Sequence, residues 1–124
     1  EVSERLYSTF RADALETELR PKYEKVQLPT GKSLQFWDQV NGKNNAWLLA
    51  YQFGKSTPEL DMAVEVGHSI LSVPFYHEMR TQRGFGYIAQ AMAHSDALTT
   101  SFGFLIQSDR SVKEIVPTTE DWIK

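Results

Sequence analysis

The apolar residues of this chain keep two different periods, and the point where one gives way to the other limits the fold more than any other feature. Leu60, Ala63, Val64, Gly67, Ile70 and Leu71 fall at i, i+3, i+4, i+7, i+10 and i+11, the spacing of one buried face of an α-helix. Ser56-Thr57-Pro58-Glu59 stands just before them. It supplies a capping hydroxyl, an early proline and an acid for the first turn, so the helix starts there. Past Gly84 and Gly86 the period drops to two: Tyr87, Ala89, Ala91 and Ala93 alternate with Ile88, Gln90 and Met92, and later Phe102, Phe104 and Ile106 with Gly103, Leu105 and Gln107. Two strands are predicted, and residues 94–98 are few enough to join them as an antiparallel hairpin. A long helix running into a hairpin implies an α+β layer, an antiparallel sheet covered by helices.

The flanks add further elements. Residues 3–20 carry dense charge with Leu6, Phe10, Ala14 or Leu15, and Leu19 at helical spacing, Ser3 as a cap and Pro21 after the end, which predicts an amphipathic helix whose stripe is a packing face or a site for a partner helix. Residues 25–28 read as a short strand closed by Pro29-Thr30-Gly31, residues 34–40 as an alternating strand, and Asn41-Gly42 as a turn. Residues 46–53 form the most continuously apolar strand, with both faces expected to be covered. Pro74 breaks the helical ladder, so residues 75–80 should be a bent continuation or a second short helix. In residues 111–124 the helical signals of Ser111, Glu114, Ile115 and Val116 collide with Pro117 and leave the register open. The expected division is 1–20 as the end of a preceding domain and 21–124 as the first part of an α+β domain. A sequence opening at Glu1 without Met and stopping just past Trp122-Ile123 is expected to be a processed or excised piece of a longer protein.

Composition narrows the function. With 124 residues, 41% of them hydrophobic, the chain can bury one core. Its net charge of −3 comes without any Lys/Arg run, which argues against a nucleic-acid partner because phosphate binding needs a concentrated basic footprint. No apolar run approaches the roughly 20 residues that span a bilayer, so no membrane partner is expected. The absence of cysteine excludes disulfides, thiol catalysis and thiolate metal sites together.

Catalytic patterns are missing. His68, His77 and His94 fall on different predicted elements, and no H-x-x-H, H-E-x-x-H or H-x-x-E-H occurs, so no metal site or cofactor is expected in this chain. No G-x-S-x-G elbow surrounds Ser69 or Ser72, and the glycine pair at Gly84 and Gly86 lacks the rest of a phosphate cradle. No residue is assigned a catalytic role.

What remains is Arg80-Thr81-Gln82-Arg83-Gly84-Phe85-Gly86-Tyr87, which leaves a helix, turns on two glycines and enters a strand. A guanidinium offers several N–H donors with a permanent charge, and a phenol offers one donor on a rigid arm. Arg80 and Tyr87 together could hold successive carbonyl oxygens of an extended peptide, or an oxyanion forming on one of them. They also have a purely structural use, Arg80 compensating a helix C-terminus and Tyr87 serving as a half-buried strand aromatic.

This segment resembles the R-T-x-x-Q-L-G-Y signature in the C-terminal half of the insulysin and pitrilysin family of zinc metallopeptidases. Tyr23-Glu24-Lys25-Val26-Gln27-Leu28-Pro29 is similar to that family's entry into its last domain. Asn44-Asn45 before the apolar strand, Pro74-Phe75 before Arg80-Thr81, and the run from Phe102 through Gln107-Ser108 are similar as well. Gly84 and Phe85 depart from it, standing where the family more often has Gln and Leu.

The resemblance implies an enzyme of four related α+β domains that form two bowl-shaped halves and close around a peptide. Zinc and the H-x-x-E-H motif would lie in the first domain, and this chain would be a non-catalytic piece at the start of the fourth, a partial insulysin-like domain. Arg80 and Tyr87 match the family residues that reach the bound peptide near the zinc, which makes them the substrate-binding candidates. The implied partners are the peptide substrate and the rest of the parent peptidase, in a bacterial periplasm or cytosol. Because the family domain is longer, an exposed sheet edge and self-association of the isolated piece are also expected. Two alternatives stay open: a non-catalytic subunit of a related two-subunit peptidase, against which Thr81 argues, and a stand-alone peptide-binding module.

Overall fold

The computed structural model describes Arg5 and residues 24–36, 38–39 and 41–124. Apart from Arg5, the helix expected over residues 3–20 lies outside the described residues. Strand β1 (Asn45–Gly54) is followed by helix α1 (Pro58–Tyr76), a π-helical segment (His77–Gln82), the hairpin β2 (Ile88–Ser95) and β3 (Thr100–Ser108), and helix α2 (Val112–Ile123).

Helix α1 begins as its sequence dictates. Thr57 is extended and its side chain accepts the Leu60 N–H, Pro58 fills a position that needs no donor, and Glu59 and Asp61 face the positive end of the helix. Pro74 does not end it. The chain continues to Tyr76 and then widens, the Arg83 N–H bonding to the Glu78 carbonyl at 3.0 Å across five residues. The bent continuation expected after Pro74 is this π-helical segment, a form often found at functional sites.

Among the described residues the sheet has three antiparallel strands in the order β1-β3-β2. Its register sets Trp47 and Leu49 opposite Ile106 and Phe104, which in turn face Ala89 and Ala91. The small alanines of β2 let α1 approach closely, and the large residues of β3 fill the middle. Phe75, Met79, Phe85, Ala89, Ala91, Phe104, Ile106 and Ile115 make one buried cluster. Phe104 stacks against Phe75 of α1 at 4.7 Å and against Trp122 of α2 at 6.2 Å, so both helices cover the same face. In α2 the Ser111 carbonyl receives the Glu114 and Ile115 N–H groups, and the helix carries Pro117 within it.

Several expectations are corrected. The strand over residues 46–53 exists, but among the described residues only one of its faces is covered: Leu48 is 59% exposed, because α1 and α2 pack on the other side and β1 is an edge strand of the described sheet. Residues 25–28 are not a strand. The Gln52 side chain bonds the Leu28 N–H at 2.8 Å and the Val26 carbonyl at 3.1 Å, so a side-chain amide does the work of a neighbouring strand. The described residues among 34–40 are not strand either, and Leu34 and Phe36 find no core to enter. On α1, Val64 and Phe75 are buried with Leu60, Gly67 and Leu71 partly so, whereas Ala63 and Ile70 are exposed. Met62, Val66, Ile70 and Val73 instead form an exposed stripe on the opposite side of that helix.

One carboxylate, Asp61, ties the start of α1 to the hairpin, and another, Asp96, ties the hairpin turn to Lys25. Hydroxyls of Ser95, Thr100 and Ser56 lower the pKa of Asp61 below the ordinary carboxylate value. Asp96 is held far lower, first by the Lys25 ammonium and then by the Leu98 N–H, with Thr99 and His94 adding to this. A folded-state pKa below the unfolded one contributes stability above the unfolded value, and that stability is lost as pH falls. The urea midpoint should therefore decline as pH drops below about 4, and Asp61→Asn should flatten that decline. A midpoint in the unsubstituted chain that is constant from neutral pH to pH 3 or so would contradict this linkage.

Candidate functional site

The widened π-helical turn sets Arg80 one turn beyond Tyr76, where its Nη1 donates to the Tyr76 hydroxyl. The chain then reverses through Gly84 and Gly86, at φ of +66° and +63°. Gly86 tolerates no side chain: a Cβ there would lie 2.0 Å from the Gln107 carbonyl oxygen. This reversal returns Tyr87 to Arg80. The guanidinium carbon lies 5.2 Å from the centre of the Tyr76 ring and 5.5 Å from that of Tyr87, within cation–π range of both.

Arg80 and Tyr87, the two candidates read from the sequence, are thus brought together. Tyr87 stands immediately before β2 and is 81% exposed, so it is not the half-buried strand aromatic of the structural alternative. Arg80 is half-buried and meets no carboxylate among the described residues, whereas its neighbour Arg83 is paired with Glu78 at 2.8 Å. A guanidinium within reach of two aromatic rings, facing no carboxylate among the described residues, has the chemistry to donate to carbonyl or carboxylate oxygens. Tyr76 is the member that sequence reading missed, although its i, i+4 spacing from Arg80 was a usable signal.

A groove of about 340 Å³ adjoins this site. It lies between α1 and β2 and is lined by His68, Ser72, Val73, Tyr76, Ala89, Gln90 and Ala91. His68, His77 and His94 lie on α1, the π-helical segment and β2 respectively. Among the described residues no cluster of three or more His, Asp or Glu side chains could hold a metal ion. No described helix is long and apolar enough to cross a membrane.

Residues 66–124 match the family described as PQQ synthase PqqF-like, C-terminal lobe domain 4. This segment is similar to a domain of the pitrilysin family. The match spans most of α1, the π-helical segment, the hairpin and α2, and so contains Arg80, Tyr87 and the core that positions them. Residues 66–124 are thus similar to the C-terminal lobe domain of PqqF-like proteins, a narrower placement within the resemblance read from the sequence. No curated protein matches the chain.

Proposed function

We propose that this domain contributes Arg80 and Tyr87 as substrate-binding residues to a PqqF-like zinc metalloendopeptidase whose catalytic zinc is held by its N-terminal domain. The observation that carries this reading is the Arg80 guanidinium, which lies within cation–π range of Tyr76 and of the exposed Tyr87 and meets no carboxylate among the described residues. Such a pair donates hydrogen bonds to main-chain carbonyls of an extended peptide, and it needs no side-chain sequence to do so. Residues 21–124 are then the first part of the C-terminal domain and residues 1–20 the end of the domain before it. Substrate binding in a chamber closed by two halves would bring this wall to the peptide.

A hydrogen bond to a charged group contributes about 1.5–3 kcal/mol. Arg80→Ala in the complete peptidase should therefore lower kcat/KM about 10- to 100-fold. Tyr87→Phe, which removes one neutral donor, should lower it about 3- to 10-fold. Bound zinc should remain unchanged in both variants. Parental kcat/KM in both variants would defeat the proposal.

A further inference from the structure

Two side-chain pairs in and next to the π-helical segment each span five residues. The Arg83 Nε–H donates to Glu78 Oε1 at 2.8 Å, beside the main-chain bond from the Arg83 N–H to the Glu78 carbonyl at 3.0 Å. The His77 imidazole and the Gln82 amide meet at 3.0 Å. In an α-helix residues five apart lie about 140° from one another around the axis, and only those three or four apart are neighbours. Main-chain bonding across five residues brings them to one side instead. Both pairs therefore belong to the π form and are lost in the α form. The inner side of the segment is fixed by Met79, which is fully buried and whose carbonyl accepts the Phe85 N–H at 2.8 Å. Arg80 stands between the two ends of the Glu78–Arg83 clasp.

We infer that Glu78 and Arg83 are positioning residues for the peptide contact: their ion pair selects the π form of His77–Gln82, and that form sets Arg80 against Tyr87. This rests on the substrate-contact reading of Arg80 and Tyr87 and adds what holds the two together. Arg80 reaches Tyr76 by i, i+4 spacing alone. Its approach to Tyr87 depends on the direction in which the chain leaves the helix, and the clasp closes at Arg83, immediately before the reversal at Gly84. Exchanging the π turn for an α turn would shift the register by one residue and rotate the start of that reversal by about 100° around the axis. A bond present in one form and absent from the other biases the balance between them by its whole free energy. A partly exposed ion pair is therefore sufficient for this task, although it adds little to the stability of the fold.

Steady-state kinetics of the complete peptidase on a linear peptide substrate test this. Glu78→Ala should lower kcat/KM about 3- to 10-fold while Arg80 is present. In an Arg80→Ala background, where no guanidinium is left to position, the same substitution should change it by less than about twofold. The reversed pair, Glu78→Arg with Arg83→Glu, should recover more than half of the loss, and bound zinc should stay at the parental amount throughout. Amide exchange over residues 82–86 should be faster in Glu78→Ala than in the parent. Parental kcat/KM in Glu78→Ala, or unchanged exchange over those residues, would overturn the inference. An equal fold-loss with and without Arg80 would overturn it as well, because Glu78 would then support the fold in general rather than Arg80. The two readings fail separately. Parental kcat/KM in both Arg80→Ala and Tyr87→Phe removes the contact pair, whereas an impaired Arg80→Ala beside a parental Glu78→Ala removes only the clasp.

Discussion

Gly86→Ala should destabilise the domain by about 2–5 kcal/mol, far more than Gly84→Ala two residues earlier. Both glycines sit at positive φ, where an added Cβ costs roughly 1–2 kcal/mol. They differ in what surrounds them. A Cβ at Gly84 meets nothing within 4 Å, whereas at Gly86 it would lie 2.0 Å from the Gln107 oxygen and 2.6 Å from the Ser108 Cα. Those are main-chain atoms of β3, the central strand, so relief requires shifting the sheet rather than rotating a side chain. Overpacking of this kind adds about 1–3 kcal/mol. Urea unfolding of Gly84→Ala, Gly86→Ala and the parent measures the difference. Equal losses at the two positions would mean that β3 moves freely, against the packing described here. Gly86 also precedes Tyr87, so a folded Gly86→Ala protein should show the Tyr87 defect in peptide turnover even though its Arg80 and Tyr87 are intact.

The same turn shows what could be read from the sequence. The types and order of Arg80 and Tyr87 were visible, because a guanidinium and a phenol around a glycine turn have a recognisable donor chemistry. Their proximity was not, since it depends on two positive φ angles and on a π-helical turn that Pro74 only announces. Helix α1 and the β2–β3 hairpin were legible because their core-facing patterns are local. Sidedness was not local. Residues 46–53 are apolar on both faces, yet only the placement of both helices on one side of the sheet decides that Leu48 stays exposed. Residues 25–28 misled for a related reason, because a side chain, Gln52, satisfies their main chain where a strand was expected. In α2, Pro117 hid a register that Ile115 and Trp122 reveal through their packing on the core.

Phe75 holds the three parts of that core together, and Phe75→Ala should cost about 3–5 kcal/mol. The side chain is fully buried. Its ring lies 4.7 Å from Phe104 of β3 and 5.3 Å from Trp122 of α2, so its removal leaves a void facing the sheet and both helices at once. Phe75 also follows Pro74, where the helix has already lost a main-chain hydrogen bond, and packing rather than the helical ladder has to hold the π-helical segment in place. The variant should therefore lose order first around His77–Gln82, with faster amide exchange there than in the β1–β3 pairing. Phe75→Leu, which keeps much of the volume, should recover more than half of the loss. If thermal unfolding shows Phe75→Ala within about 1 kcal/mol of the parent, then Arg80 is held by its own contacts with Tyr76 and Tyr87 and not by the core beneath it.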